Sequence, residues 1–258
     1  MIRTEPIDKW VRGRLGGRLV VESREPELVW QGDFPPVYAF RLDEVDEGVL
    51  VPSAAPSRDG FSFFAPQAPV SQWYDVVAGE HVLPHAAWTL DDGRLAHRVV
   101  LTWEPGLLEW TEEDEVVTAH PRDPHKRVEA LPSSRQVEVG IAGLVVARST
   151  RPVLLLETHL PTRYYLPRED VRLDLLEVTD NTSVCPYKGR ADSYWTWPGP
   201  PTVTNVAWSY SDPAPAVGAV RDRVAFYNEL VDLTVDGVAQ KRPQSPFSEP
   251  EQRPGADG

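Results

Sequence analysis

The chain repeats itself. Laying Gly17 on Gly143 aligns residues 17–45 with 143–171 without a gap at a constant offset of 126, and eight of the 29 pairs are identical. They are Gly17/Gly143, Val20/Val146, Ser23/Ser149, Pro26/Pro152, Leu28/Leu154, Pro35/Pro161, Tyr38/Tyr164 and Val45/Val171, and the acidic pair Asp43-Glu44 falls on Glu169-Asp170. Further on, an offset of 120 matches Pro66/Pro186, Tyr74/Tyr194, Ala87/Ala207 and Trp88/Trp208. RVVLTW from Arg98 then falls on RVAFYN from Arg223, and LEWT (108–111) on VDLT (231–234) once two residues near Pro105-Gly106 are skipped. Order kept over so long a unit is the mark of a duplicated domain. The expected organisation is a first, degenerate copy at 11–118, a linker at 119–134 and a second copy at 135–240. Residues 241–258 lack apolar periodicity and are rich in Pro, Glu and Gly, so a disordered tail is expected there.

Within each copy the pattern reads as strands. RQVEV and VDLTVDG alternate apolar and polar side chains, and VRLDLL does so through Val171, Leu173 and Leu175, the period of a half-buried strand. PVLLLET is a short continuous apolar run, as in a strand packed on both faces. AVGAVRDRVAFY could pass for a helix, but its β-branched and aromatic residues favour a strand. Pro167 followed by acidic residues at 169 and 170 can start a single helical turn. The 26 prolines are spread along the chain, which disfavours long helices and suits turns and strand edges.

Composition narrows the functional classes. A hydrophobic fraction of 41% with 25% charged residues is that of an ordinary soluble globular protein. The net charge of −13 opposes sequence-independent attraction to nucleic-acid phosphates and to anionic membrane surfaces. No run of eighteen apolar residues occurs, and MIRTEPIDKW lacks the basic end and apolar run of a signal peptide. A single cysteine gives no internal disulfide and no cysteine-cluster zinc site. A cytoplasmic protein is expected, with neither nucleic acid nor membrane as partner.

The second copy resembles the domain-of-unknown-function family 427. The residues that carry the resemblance are LLLETHLPTRYYLPREDV (154–171), CPYKGRADSYW (185–195), NVAWSY (205–210) and RVAFYNELVDLTVDG (223–237), with HPRDPHKRVEALPSSR (120–135) similar to the joint of tandem members. The first copy is a much fainter relative. The resemblance implies a mostly-β architecture of two tandem small domains, similar to the β-tent folds that often hold zinc on two Cys-x-x-Cys pairs; a pseudo-dimer of the two copies is the expected packing. Those pairs are absent here, so no metal and no cofactor are expected. An older label of the family suggests nucleotidyl transfer, but no Gly-Ser followed by paired aspartates is present to hold two metals.

Cys185-Pro-Tyr-Lys188 has good turn chemistry, with proline second and Gly189 just after the fourth residue. An ammonium near a thiol can raise its thiolate fraction, so Cys185 and Lys188 are the candidate catalytic pair. Against this stands the ordinary role of a lone cysteine as a small buried hydrophobe. Cys185 falls on Ala65, Lys188 on Ala68 and Arg163 on Val37, so any chemistry belongs to the second copy. Around the pair, the family motifs supply Arg163, Tyr164, Asp170, Tyr187, Tyr194, Asn205 and Trp208 as candidate substrate-binding residues, with Tyr165 and Arg168 beside them. Core packing for Tyr194 and Trp208 and turn capping for Asp170 are the competing readings. His159 is the nearest candidate base but also reads as a solvated loop residue, and His120 and His125 read as part of a connector. The expected function is a small-molecule pocket in the second copy. It would serve a metal-independent enzyme built on Cys185 and Lys188, or alternatively a non-catalytic sensor or binding module. A structural interaction protein is the third reading.

Overall fold

A computed structural model describes residues 2–32, 34–57, 64–245 and 247–248. The chain divides after Asp123 into two compact units. Each is built almost wholly from antiparallel strands, as the alternation implies, with short 3-10 turns between them. Among the described residues no helix is long and apolar enough to cross a membrane.

In the first unit a seven-stranded sheet runs in the order Ile2–Pro6, Glu27–Gln31, Val37–Arg41, Arg98–Leu101, His81–Leu90, Val70–Ala78, Leu50–Ser53. A four-stranded sheet, Glu115–Val117, Glu109–Glu112, Val11–Leu15, Arg18–Ser23, accompanies it. The second unit repeats the second of these as Val238–Ala239, Asp232–Val235, Val137–Ile141, Leu144–Ser149. Its counterpart of the seven-stranded sheet is parted in two. One part is Val128–Pro132, Val153–Glu157, Arg163–Tyr165; the other is Val224–Phe226, Val203–Ser209, Ser193–Trp197, Glu177–Thr179. The seam that Ala39, Phe40 and Arg41 close against Val100, Val99 and Arg98 is reduced to the single bridge Leu166–Val224.

The offset of 126 holds down to individual bonds. Ile2 pairs with Gln31 and Val128 with Glu157; Val21 bridges Val45 and Ala147 bridges Val171; both first hairpins carry a bulge, after Gly13 and after Val139. Both turn through two residues of positive φ, Gly16-Gly17 and Ala142-Gly143, the twist that a tight hairpin needs and that glycine supplies without strain. The linker expected at 119–134 is not one: Val128–Pro132 is a strand hydrogen-bonded to Val153–Glu157, and the counterpart Ile2–Pro6 extends the first unit beyond its expected start at 11.

Three local expectations are corrected. Leu173–Leu175 is a 3-10 turn rather than part of a strand, because the chain there crosses between sheets and Leu176 donates back to the Leu173 carbonyl. Pro215–Val220 is likewise 3-10, started by a proline, and the strand begins only at Val224. Val153–Glu157 alternates buried and half-buried residues, so only one of its faces is fully covered. The turn expected at Pro167 is present as Arg168–Asp170.

Each unit has two apolar clusters. One is shared in kind: Val11, Val20, Val21 and Phe40 in the first unit answer Val137, Val146, Ala147 and Leu166 in the second. Each valine, leucine or phenylalanine among them contributes about 1.5–3 kcal/mol on burial. The other cluster is where the units part.

Candidate functional site

The flanking cluster of the first unit packs Val29, Ala39, Trp88, Leu90 and Val100, with Val37 and Trp73 against it. Strand register fixes the equivalences. Trp73 pairs with Trp88 as Tyr194 pairs with Trp208, while Tyr74 pairs with Ala87 as Trp195 pairs with Ala207. Tyr194 therefore answers Trp73, and the sequence match to Tyr74 is one residue out. Since strand neighbours face opposite sides, that slip moves the side chain to the other face. At matched positions the second unit replaces Val37 by Arg163, Ala39 by Tyr165, Leu90 by Tyr210, Thr102 by Tyr227 and Gln31 by Glu157, and keeps the tryptophan as Trp208. A hydrophobic flank has become a polar interior.

Two ionic groups anchor it. Arg163 and Glu229 are 5% and 1% exposed and form a two-pronged pair, Nη1 to Oε2 at 2.5 Å and Nη2 to Oε1 at 2.8 Å. Ser245 donates its hydroxyl to the same Oε1. Burial opposes ionisation of Glu229, but Arg163 and Ser245 outweigh it and hold its pKa below the ordinary carboxylate value. The guanidinium lies 5.4 Å from the Tyr227 ring centre, 5.8 Å from Trp208 and 5.7 Å from Phe247. The second group is Glu157, whose Oε2 receives the Lys188 ammonium and whose Oε1 receives Lys126 at 3.0 Å. There too burial opposes charge and the two lysines prevail, lowering the carboxyl pKa.

Four phenols fill the space between. Tyr165 accepts a hydrogen bond from Trp208 Nε1 at 3.0 Å, whereas Trp88 Nε1, facing alanine at the matched place, is buried without a partner. Tyr194 shares a 2.7 Å bond with Ser183 Oγ. Tyr227 lies against Trp208 with ring centres 4.4 Å apart. Tyr210 is 3% exposed, and its hydroxyl makes no hydrogen bond among the described residues. Burial pushes the phenols of Tyr165, Tyr210 and Tyr227 well above their usual pKa. Tyr210 also has Tyr165, Cys185, Tyr194 and Glu157 near enough to disfavour its anion.

The Cys185–Lys188 turn forms as expected: the Lys188 N–H donates to the Cys185 carbonyl at 3.3 Å and joins strands Ser183–Cys185 and Gly189–Ala191. Gly189 sits at φ 91° with a backbone neighbour 3.3 Å from where a Cβ would be, because Ala214 donates to the Lys188 carbonyl there. The expected charge pair does not form. Lys188 is held by Glu157, its Nζ makes no hydrogen bond to Cys185, and among the described residues the half-buried thiol has no histidine or carboxylate bonded to it. His159 is exposed, at φ 65° in a turn, and is not that base. His120 belongs to the first unit, with Nδ1 2.8 Å from the Pro121 carbonyl, and His125 to the second.

The remaining expected residues divide. Arg163, Tyr194 and Trp208 belong to the polar interior, and Tyr187 adjoins it with its ring centre 5.5 Å from the Lys126 ammonium. Arg163 spends one N–H of each Nη on Glu229 and is 5% exposed, so its charge is already paired within the unit. Tyr164 packs on the shared core instead. Asp170 accepts from Ser149 at 2.7 Å as Glu44 accepts from Ser23 at 2.8 Å, a scaffold bond common to both units. Asn205, at φ 52°, accepts from Thr179 at 2.8 Å and donates its N–H to Thr196, just as His85, at φ 54°, meets Ser53 and donates to Asp75. Sequence reasoning passed over Glu157, Tyr210, Tyr227, Glu229 and Ser245. Glu157 had a signal, as a lone charge ending an apolar strand. Within the tail expected from 241, Ser245 and Ser248 are buried, and 246 and 249–258 lie outside the described residues.

Two surface depressions, of about 570 Å³ beside Arg41 and His97 and about 390 Å³ beside Arg148 and Asp170, lie elsewhere on the units. Cys185 and Lys188 line neither.

The family model described as a domain of unknown function (DUF427) matches residues 3–98 and again 129–237. The chain is a tandem member of that family, and both copies belong to it. No curated protein matches the chain.

Proposed function

We propose that the second unit is a small-molecule-binding module whose ligand lies against Tyr165, Tyr194 and Tyr210, beside the Lys126–Glu157–Lys188 group, with Cys185 at the edge. The observation that carries this reading is the Tyr210 hydroxyl. The side chain is 3% exposed and its hydroxyl has no hydrogen-bond partner among the described residues, yet the oxygen is not sealed from solvent, so it is a donor open to a ligand, whereas Leu90 at the matched place in the first unit offers none. A polar donor left open in one copy and replaced by hydrocarbon in the other points to use rather than to folding. Binding is preferred to covalent catalysis because the ammonium expected to activate the thiol is taken by Glu157.

The rival is an enzyme using Cys185, whose thiol stands half-buried at the margin of the same group. A thermal-shift screen of small metabolites on the full chain separates the two, since a ligand specific for the folded state raises Tm. Binding should weaken about tenfold or more in Tyr210→Phe and persist in Cys185→Ala. Ligands indifferent to Tyr210, or a screen without any hit, would remove the reading. Turnover that vanishes in Cys185→Ala with binding intact would replace it by the enzyme.

A further inference from the structure

The ionised groups of the polar interior do not balance. Arg163 and Glu229 cancel, both prongs being engaged. Glu157 is one carboxylate shared by two ammoniums, each on its own oxygen. One positive charge is left over. Its place is also defined: the side chains of Lys126 and Lys188 keep 24% and 15% exposure, whereas Glu157 between them keeps 5%. The surplus therefore faces outward, at the end of the strand that bears Glu157, while the carboxylate lies beneath. Around it the buried phenols stay neutral through the physiological range, since burial disfavours their anions. A neutral phenol donates a hydrogen bond and adds no charge.

Resting on the site named above, we propose that its ligand is a small organic monoanion, a carboxylate, with the Tyr210 hydroxyl donating to one oxygen and the Lys126–Lys188 pair supplying the counter-charge. One surplus cation matches one negative charge; a dianion would leave a charge unpaired near the interior. The chain's net charge of −13 does not prevent this, because repulsion from distant carboxylates is screened beyond about 8–10 Å at physiological salt. It does imply that attraction is local, so that binding depends on these two lysines rather than on the general field. Tyr165, Tyr194 and Tyr210 set aromatic rings about the same place, which favours an aromatic carboxylate over acetate.

Calorimetric titration of the full chain with benzoate, benzamide and benzylammonium tests this, since the three share a ring and differ in charge. Benzoate alone should bind, and its affinity should fall about tenfold or more in Lys126→Gln. Lys188→Arg keeps the charge and should restore binding wherever Lys188→Met destroys it, which guards against a variant that merely unfolds. Equal binding of benzamide, or benzoate binding unchanged by Lys126→Gln, overturns the monoanion while leaving the site in place. Failure of all three alongside a neutral or cationic hit in the wider metabolite screen does the same. Failure of every compound removes the site and this inference together.

Discussion

The flank of the first unit and the flank of the second are one piece of architecture built in two chemistries. Both set a tryptophan, Trp88 or Trp208, at the centre of a strand pair, and both cover it with the same neighbouring strands. In the first, alanine, valine and leucine surround the ring and its N–H goes unsatisfied. In the second, a tyrosine receives that N–H, and two charged pairs stand nearby. The scaffold bonds that define the fold, such as Ser23 to Glu44 and Ser149 to Asp170, are the same in both. What the polar flank adds is therefore not needed to make the fold. That difference is the main reason for placing a binding site in the second unit.

High pH should break the comparison most completely. The phenols of Tyr165, Tyr210 and Tyr227 have folded-state pKa values raised above their unfolded value near 10. The stability they contribute is full below that value and is lost as pH rises through the higher folded ones. The second unit should thus unfold first in alkali, with tyrosinate absorbance appearing in step with loss of its amide protection. Tyrosinate that appears gradually near pH 10 while protection persists would show phenols open to water. In acid the sign reverses: Glu157 and Glu229 are lowered, so their contribution is complete above about pH 4.5 and fades as pH falls below it.

Arg163→Val writes the first unit's residue into the second and leaves Glu229 buried with only a serine for company. A loss of about 3–5 kcal/mol is expected in urea denaturation, and adding Glu229→Leu should return most of it. A single-variant loss below about 1 kcal/mol would mean that the pair is effectively solvated. Lys188→Met is milder, because Lys126 remains on Glu157, and should cost about 1–3 kcal/mol. Tyr165→Phe, which returns Trp208 to the unsatisfied state of Trp88, should cost about 1 kcal/mol. Smallest of all is Tyr210→Phe without ligand: its hydroxyl has no bond to lose, so a change within about 0.5 kcal/mol, on the stabilising side, is expected. A loss as large as that of Tyr165→Phe would show that the Tyr210 hydroxyl is bonded after all.

How much of this was legible in the sequence follows from range. Alternation and turn residues act over a few positions, so the offset of 126 carried the strands and matched Gly17 to Gly143 and Ser23 to Ser149, while the Ser149–Asp170 bond, which spans 21 residues, was not read. The hairpin end between these strands is one residue shorter in the second unit, Trp197 to Val203 against Val76 to Leu83, and nothing in the composition marks the deletion, which is why Tyr194 was matched to Tyr74 rather than Trp73. The Cys185–Lys188 turn was readable because a tight turn is local, but a turn fixes backbone ends and not where a four-carbon side chain goes. Lys188 reaches instead to Glu157, 31 residues earlier. Arg163 and Glu229 meet across 66 residues, and nothing in either neighbourhood names the other.

Ser245 carries one last consequence. It stands beyond Ala239, the end of the final strand, and beyond residue 237, where the family match stops, yet its hydroxyl and the ring of Phe247 close over the buried pair. A protease that clipped the chain after Gln240 would spare every strand and still unseal the Arg163–Glu229 pair. The outline of this unit as an inherited pattern is shorter than its outline as a folded object, and excision at the former would yield a leakier version of the latter.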